Sequence, residues 1–447
     1  MQSLKVSVDF GKKGGRAKPL HCINGAPRCG SHDLRLDFSE EFSEIGIPCV
    51  RTNTTPGDYG YNQFVNIHSV FPDFDADEQS EESYNFHPTD LYLASIKNSG
   101  AEIFYRLGES SEPYARKIFA KMPRDPEKWA RICEHIIMHY NEGWANGFKL
   151  GIKYFEIWSA PDSAAGFLGE PREYYELYRV TACYLRERFP KIKIGAYGSR
   201  GFASLNRLDS DEELKAAVPF MQQFLSYLNR SDPKPPLDFF TWVCQAATPE
   251  ELALHSRYAR SYLDSAGFKR TRSIVCELSS RGARTSPPAF RKDFPSFLAS
   301  SMILAQKNSV DMMMYVTSDP YSPESGIFGV EDFFVRKKYA AYAAMCAFGG
   351  IYRLGNLVEC SGDYRGEVYS LAAANADSGE IMLVTRDFAG RVEIDLEGCP
   401  FPYCRVTKYT VGQRGSYSEF RSQDRALAGG RIILPVKEHE IYRIALF

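Results

Sequence analysis

The sequence predicts an α/β fold: a (β/α)8 barrel followed by an antiparallel β-sandwich. From about residue 20 to about residue 345, short apolar runs alternate with segments of helical spacing. Eight such strand–helix pairs make a closed barrel the simplest arrangement, because each parallel pair of strands needs a crossover between them. After Gly349-Gly350 the helical segments stop and short strands of period two take over. The 447 residues exceed one ordinary domain but suit a barrel of roughly 250–350 residues with one further module.

In chain order, Leu4–Asp9 alternates like the C-terminal strands, so residues 1–15 are expected to join the sandwich of residues 350–447 and to leave 16–349 as the barrel. The eight barrel strands are read as the short apolar runs around His21–Asn24, Cys49–Asn53, Ala101–Arg106, Lys153–Trp158, Lys193–Tyr197, Leu237–Val243, Ser273–Glu277 and Asp311–Tyr315. Helical spacing predicts Asp37–Ile45, Pro88–Asn98, Trp129–Gly143, Glu173–Arg188, Glu212–Leu228, Pro249–Ala266, Ala289–Gln306 and Val335–Phe348. Sandwich strands are expected at Glu367–Ala373, Glu380–Thr385, Val392–Leu396, Arg405–Thr410 and Arg431–Val436, separated by Asn-Ala-Asp-Ser-Gly, Phe-Ala-Gly and Glu-Gly-Cys-Pro turns.

A net charge of −2 with pI near 6.5 gives no electrostatic reason to expect nucleic acid or an anionic membrane as partner. No run of 18 apolar residues is present, and the first residues, MQSLKVSVDF, lack the apolar core of a signal peptide. Eleven cysteines, an odd number without a C-x-x-C pair, are expected to be reduced thiols of a cytoplasmic protein. No metal-ligand spacing or cofactor motif is apparent. His135 and His139 stand at i, i+4 but inside a helix-like segment, and are read as structural.

The stretch Lys153–Asp162, KYFEIWSAPD, is a strand closed by Pro161, and its tip lies where a barrel carries functional groups. It resembles the fourth-strand motif Trp-Asn-Glu-Pro of retaining glycoside hydrolases of the clan that includes family 39. Along the rest of the chain, CVRTN resembles the second-strand Val-Arg-Thr-His segment, AEIFYRLGES the third strand, and LDFFTWV the sixth-strand Asp-Phe-Phe-Ser-Trp-His. SIVCELSS resembles the seventh-strand Asn-Glu-Trp-Asn pattern, and SGIFGVEDFFVRKKYA the segment after the eighth strand.

The resemblance implies that Glu277 holds the nucleophile position and that Ala160 stands where the general acid/base would be, with Ser159 in place of the Asn that holds the sugar 2-hydroxyl. Val243 replaces the sixth-strand His, and Cys276, Leu278 and Ser279 replace an Asn, a Trp and an Asn around the nucleophile. Retaining hydrolysis needs two carboxyl groups about 5–5.5 Å apart, and one is missing. Other carboxylates weighed for the role are Glu156, lying deeper in the barrel, Asp162, Glu109, Asp319 and Glu324; none stands where the mechanism calls for it. Trp158, Trp242 and Tyr315, with Tyr59 or Tyr61, are candidate faces for a sugar, and Asn53, Arg106 and Glu109 candidate polar contacts. Arg51 and Arg106 also read as structural residues of the barrel mouth. Without a function, Glu277 would cap the next helix or pair with Arg272 or Arg281.

The expected partner is a carbohydrate at the barrel mouth, with no cofactor; a homo-oligomer is left open. The leading expectation is a family-39-like carbohydrate-active protein with impaired catalysis, binding a glycan or turning it over weakly. The alternatives are a working retaining β-glycosidase of β-xylosidase type with a non-standard acid, or a structural subunit beside an active homologue.

Overall fold

The computed structural model describes residues 2–25, 37–53, 65–109, 118–207, 211–281, 287–316, 326–331, 335–362 and 364–447. After β1 (Ser3–Arg16), eight parallel strands close into a barrel in chain order: β2 (Cys22–Asn24), β3 (Cys49–Arg51), β4 (Glu102–Leu107), β5 (Tyr154–Ile157), β6 (Lys193–Ser199), β7 (Phe239–Ala246), β8 (Arg272–Ser280) and β9 (Met312–Tyr315). The fourth barrel strand is therefore β5 and the seventh β8. Around them lie α1 (Ser39–Ile45), α2 (Ile67–Val70), α3 (His87–Asn98), α4 (Pro126–Asn141), α5 (Pro171–Arg188), α6 (Glu212–Arg230), α7 (Pro249–Ser265), α8 (Phe294–Lys307) and α9 (Ala340–Leu354). No helix among the described residues is long and apolar enough to cross a membrane.

The period of two along each strand decides what fills the barrel. Cys22, Cys49, Phe104, Phe239, Ile274, Cys276, Met312 and Met314 form one buried apolar cluster, with Tyr154 against it. Two residues further along the same strands stand Asn24, Arg51, Arg106, Glu156 and Thr241, all fully buried. The barrel is thus apolar at its centre and carries a polar layer at the C-terminal end of its strands.

Two helices start five residues later than their apolar spacing predicts. Pro295 cannot sit inside a helix begun at Ala289, since it lacks the N–H and its ring would crowd the preceding turn. It falls instead in the first turn of α8, behind a separate 3-10 turn at Pro288–Phe290. Likewise Val335–Lys338 is not helical: it is a strand, β11, paired antiparallel with β10 (Phe328–Glu331), and α9 starts only at Ala340.

The remaining strands are β12 (Asn356–Ser361), β13 (Val368–Ala374), β14 (Gly379–Thr385), β15 (Gly390–Glu397), β16 (Tyr403–Val411), β17 (Tyr417–Arg421), β18 (Arg425–Ala426), β19 (Arg431–Val436) and β20 (Ile441–Leu446). The expected sandwich is in fact one sheet, ordered β17-β16-β20-β14-β13-β12-β1-β15-β19, with β18 on β16. It is antiparallel except where β1 runs parallel to β15. The sheet curls into a half-barrel: Tyr442 of β20 reaches the Pro435 carbonyl of β19, six strands away in the order, at 3.1 Å. The concave face encloses Val6, Val8, Ile381, Leu383, Ile394, Leu434 and Ile444, so the curl supplies the core that two stacked sheets would hold between them. The other face, with Tyr369, Leu371, Met382, Val384 and Ile441, joins the core around the barrel helices.

Gly349-Gly350 does not end the barrel; α9 runs through it to Leu354. The pair is there for close approach rather than for flexibility. A Cβ on Gly350 would lie 2.2 Å from the buried Glu380 carboxylate, and one on Gly349 would lie 2.1 Å from the Ile45 carbonyl of α1. Glu380 is in turn held by the two-pronged Arg443 guanidinium at 2.6 and 2.8 Å.

Candidate functional site at the barrel mouth

The polar layer is organised by Arg51. Its Nε and Nη2 lie 2.8 and 2.7 Å from Glu156 Oε2. Nη1 reaches Glu277 Oε1 at 3.2 Å, and Nη2 reaches Ser159 Oγ at 3.4 Å. One guanidinium thus ties β3, β5 and β8 together. Burial opposes its charge, but the carboxylates of Glu156 and Glu277 outweigh that and hold its pKa above the ordinary value. Thr241 Oγ1 lies against the other Glu156 oxygen and accepts the Gly198 N–H at 2.7 Å. Gly198, at φ +67°, is needed here: a Cβ would sit 3.0 Å from Arg51 Nη2 and 3.3 Å from Ser159 Oγ.

Glu277 reaches this layer because β8 is bulged. Trp242 pairs with Val275, and the next residue, Val243, pairs with Glu277, so Cys276 is the extra residue. Strict alternation would send Glu277 to the outer face, since Cys276 points into the barrel; the bulge re-aims it. Asn24 Nδ2 donates to the Cys276 carbonyl at 2.7 Å and supports the bulge from inside. Asn53 Nδ2 donates to Glu277 Oε1 at 3.0 Å, beside the Arg51 contact. Two donors converge on Oε1 while Oε2 has no partner among the described residues. The side chain is 24% exposed, which leaves a carboxylate oriented through one oxygen and open through the other.

The segment after β5 is pinned on both sides. Trp158 N–H donates to Leu107 O at 2.7 Å, its indole N–H to Gly166 O at 2.8 Å, and Ala160 N–H to Tyr197 O at 2.7 Å. Trp158 and Ala160 both take left-handed backbone, at φ +73° and +50°. Ala160 is half-buried and carries no group that could move a proton.

Other expected contacts lie elsewhere. Arg106 is turned away from Glu277 to the Gly108 carbonyl and Asn66 Oδ1, and burial pushes its pKa down to about 10. Trp242 is fully buried in the barrel wall, its N–H on Ser273 Oγ at 3.0 Å and its ring on Phe202. Tyr315, 3% exposed, packs on Phe294. Trp158 offers almost no surface to the mouth, being 1% exposed. Glu109 is bound to His68 by both oxygens. Arg272 reaches Tyr154, not Glu277. His139 stacks on Phe86 and bonds the Trp144 carbonyl and Asp90. Tyr59, Tyr61, Asp319 and Glu324 lie outside the described residues. Thr241, Asn24 and His68 carry no local motif that would have marked them.

Asp162 faces β6 rather than the mouth. Its Oδ2 accepts Ser199 Oγ–H and Arg200 N–H, both at 2.8 Å, while the buried Oδ1 has no partner among the described residues. Burial raises its pKa from 3.8 to about 6. A carboxyl that holds its proton more tightly folded than unfolded lends stability that is complete below pH 3.8 and lost as pH rises through about 6. That shift corresponds to about 3 kcal/mol. The difference in unfolding free energy between Asp162→Asn and the parent protein should therefore move in the variant's favour between pH 4 and pH 7, by up to about this amount. A pH-independent difference would mean that Asp162 does not hold its proton through burial.

No protein-family model matches the chain, and no curated protein sequence matches it either. Solved structures do. A glucosidase from Croceicoccus marinus superimposes with a TM-score of 0.78 at 22% identity, over 100% of this chain and 99% of that one. A monomeric β-xylosidase from Caulobacter crescentus gives 0.72 at 14% identity, over 99% of each chain. An α-L-arabinofuranosidase from Thermotoga maritima gives 0.68 at 12% identity, over 99% of this chain and 100% of that one. At these identities the likeness establishes the architecture, barrel and half-barrel sheet together, over the whole chain.

Proposed function

We propose that the barrel mouth binds a carbohydrate, with Glu277 at the position of a retaining nucleophile and Ala160 where the acid/base is lost. The observation that carries this reading is the convergence of Arg51 Nη1 and Asn53 Nδ2 on a single oxygen of Glu277, which aims the other at the mouth. Its support beyond the site is that the structures of like fold come from a glucosidase, a β-xylosidase and an α-L-arabinofuranosidase. In this reading Ala160 and Glu277 face each other with Cβ atoms on the order of 10 Å apart, the spacing two carboxyl groups would need to flank one bond. Neither neighbouring acid substitutes: Asp162 is held by Ser199 and Arg200, and Glu109 by His68. Slow or absent turnover of unactivated glycosides follows, because a sugar leaving group needs a proton.

The test is mass spectrometry after incubation with activated aryl pentosides and hexosides, whose leaving groups need no acid. A glycosyl adduct should form slowly on Glu277 and persist, because no base activates water; azide should release it as a glycosyl azide of retained configuration. Glu277→Gln should abolish the adduct. Turnover unaffected by Glu277→Gln would place the chemistry elsewhere. Glycan binding with no adduct would leave a lectin-like protein, and neither would favour a structural subunit.

A further inference from the structure

A second cavity, of about 420 Å3, lies to one side of the mouth, between α2 and the turn after it, the end of β4 and the start of α4. Its walls include Phe71, Phe74, Trp129 and Trp158. Trp158 joins it to the site already described, since the chain continues from that ring directly into Ser159-Ala160. Apolar and aromatic side chains predominate in its lining, and its charged or titratable members are His68, Glu109, Lys121 and Arg124. Arg124 at its rim is paired with Asp75 and lies over the Phe74 ring, 5.3 Å from its centroid.

One polar device stands among these rings. Glu109, 4% exposed, accepts the His68 backbone N–H on Oε1 at 3.1 Å and holds the His68 ring at Nδ1 through Oε2. A carboxylate can only accept, so Nδ1 carries a proton, and in the tautomer with that one ring proton Nε2 is an acceptor. The same imidazole is stacked flat on Phe119, with centroids 3.8 Å apart and planes at 3°. Aromatic walls around one oriented acceptor match a flat ring bearing a hydroxyl donor.

We propose that this cavity takes a phenolic ring, whose hydroxyl donates to His68 Nε2. The ring belongs either to a free phenol or to the non-sugar part of an aryl glycoside. Only the second source rests on the carbohydrate reading.

The intact protein is titrated calorimetrically with phenol and with toluene. Phenol should bind saturably and about three- to tenfold tighter than toluene, the worth of one hydrogen bond. Phe119→Ala should weaken phenol by roughly three- to tenfold. The double variant His68→Phe/Glu109→Gln keeps the stack and the backbone contact, and should bind phenol and toluene equally. Circular dichroism confirms that each variant is folded. No saturation by phenol at millimolar concentrations, or phenol affinity unchanged in both variants, overturns the proposal. Since these titrations contain no sugar, they can fail while glycan binding stands, and the reverse. A 4-hydroxyphenyl β-glucoside that outbinds methyl β-glucoside in the parent protein but not in Phe119→Ala assigns the ring to a glycoside. Equal binding of the two glucosides, with phenol still bound, assigns it to a free phenol.

Discussion

Replacing Arg51 by methionine should lower the unfolding free energy by about 3–5 kcal/mol, the cost of leaving a buried charge without its partner. Arg51 and Glu156 are both fully buried, and among the described residues the Glu156 carboxylate without the guanidinium keeps the Thr241 hydroxyl alone. The effect belongs to the orphaned carboxylate rather than to any intrinsic strength of the pair. Arg51→Met combined with Glu156→Leu should therefore recover most of the loss, because the two charges leave the interior together. Denaturant unfolding of the single and double variants measures this, and a loss under about 1 kcal/mol in Arg51→Met would contradict the picture of a buried, ion-paired layer. Adduct formation on Glu277 should not return in the double variant. Stability needs only that no buried charge be left alone, whereas orientation of Glu277 needs Nη1 itself, 3.2 Å from Oε1.

On the proposed reading, supplying a carboxyl at position 160 is the other large effect. A positioned general acid is worth about 10²–10⁴-fold, but Ala160→Glu alone should recover less than tenfold of this on β-glycosides with sugar leaving groups. Ser159 is turned to Arg51, and Val243, which pairs with Glu277 across β7 and β8, has no hydrogen-bonding side chain for a sugar. Adding Ser159→Asn and Val243→His should raise kcat/KM by more than the product of the single effects, since groups that hold one substrate act as a unit. The rates, measured over a panel of pentosides and hexosides, should vanish again with Glu277→Gln. A triple variant no faster than the parent protein would remove position 160 from the acid role.

The barrel strands were legible because each is a short, mostly apolar run between helical segments, and the period of two within it depends only on near neighbours. KYFEIWSAPD and SIVCELSS were legible for the same reason, and so was the absence of a carboxyl at Ala160. Asn53 was read as a polar contact for a sugar, and its amide donates to Glu277, a partner the sequence did not indicate. What could not be read was direction. Trp242 resembles a sugar platform in the linear sequence, yet its register on β8 buries it in the wall, and one extra residue at Cys276 turns Glu277 from the outer face to the mouth. Arg51 finds Glu156 across 105 residues of chain and Glu277 across 226, and Glu109 finds His68 41 residues earlier. Gly349-Gly350 was read as a boundary because short strands of period two follow it, and it is a packing site because Ile45 and Glu380 come against it. Local periodicity is set by covalent neighbours, so it survives in a string of letters. The partner of a charge, the side of a strand a bulge exposes and the neighbour a glycine admits are set by strands brought together only when the barrel closes.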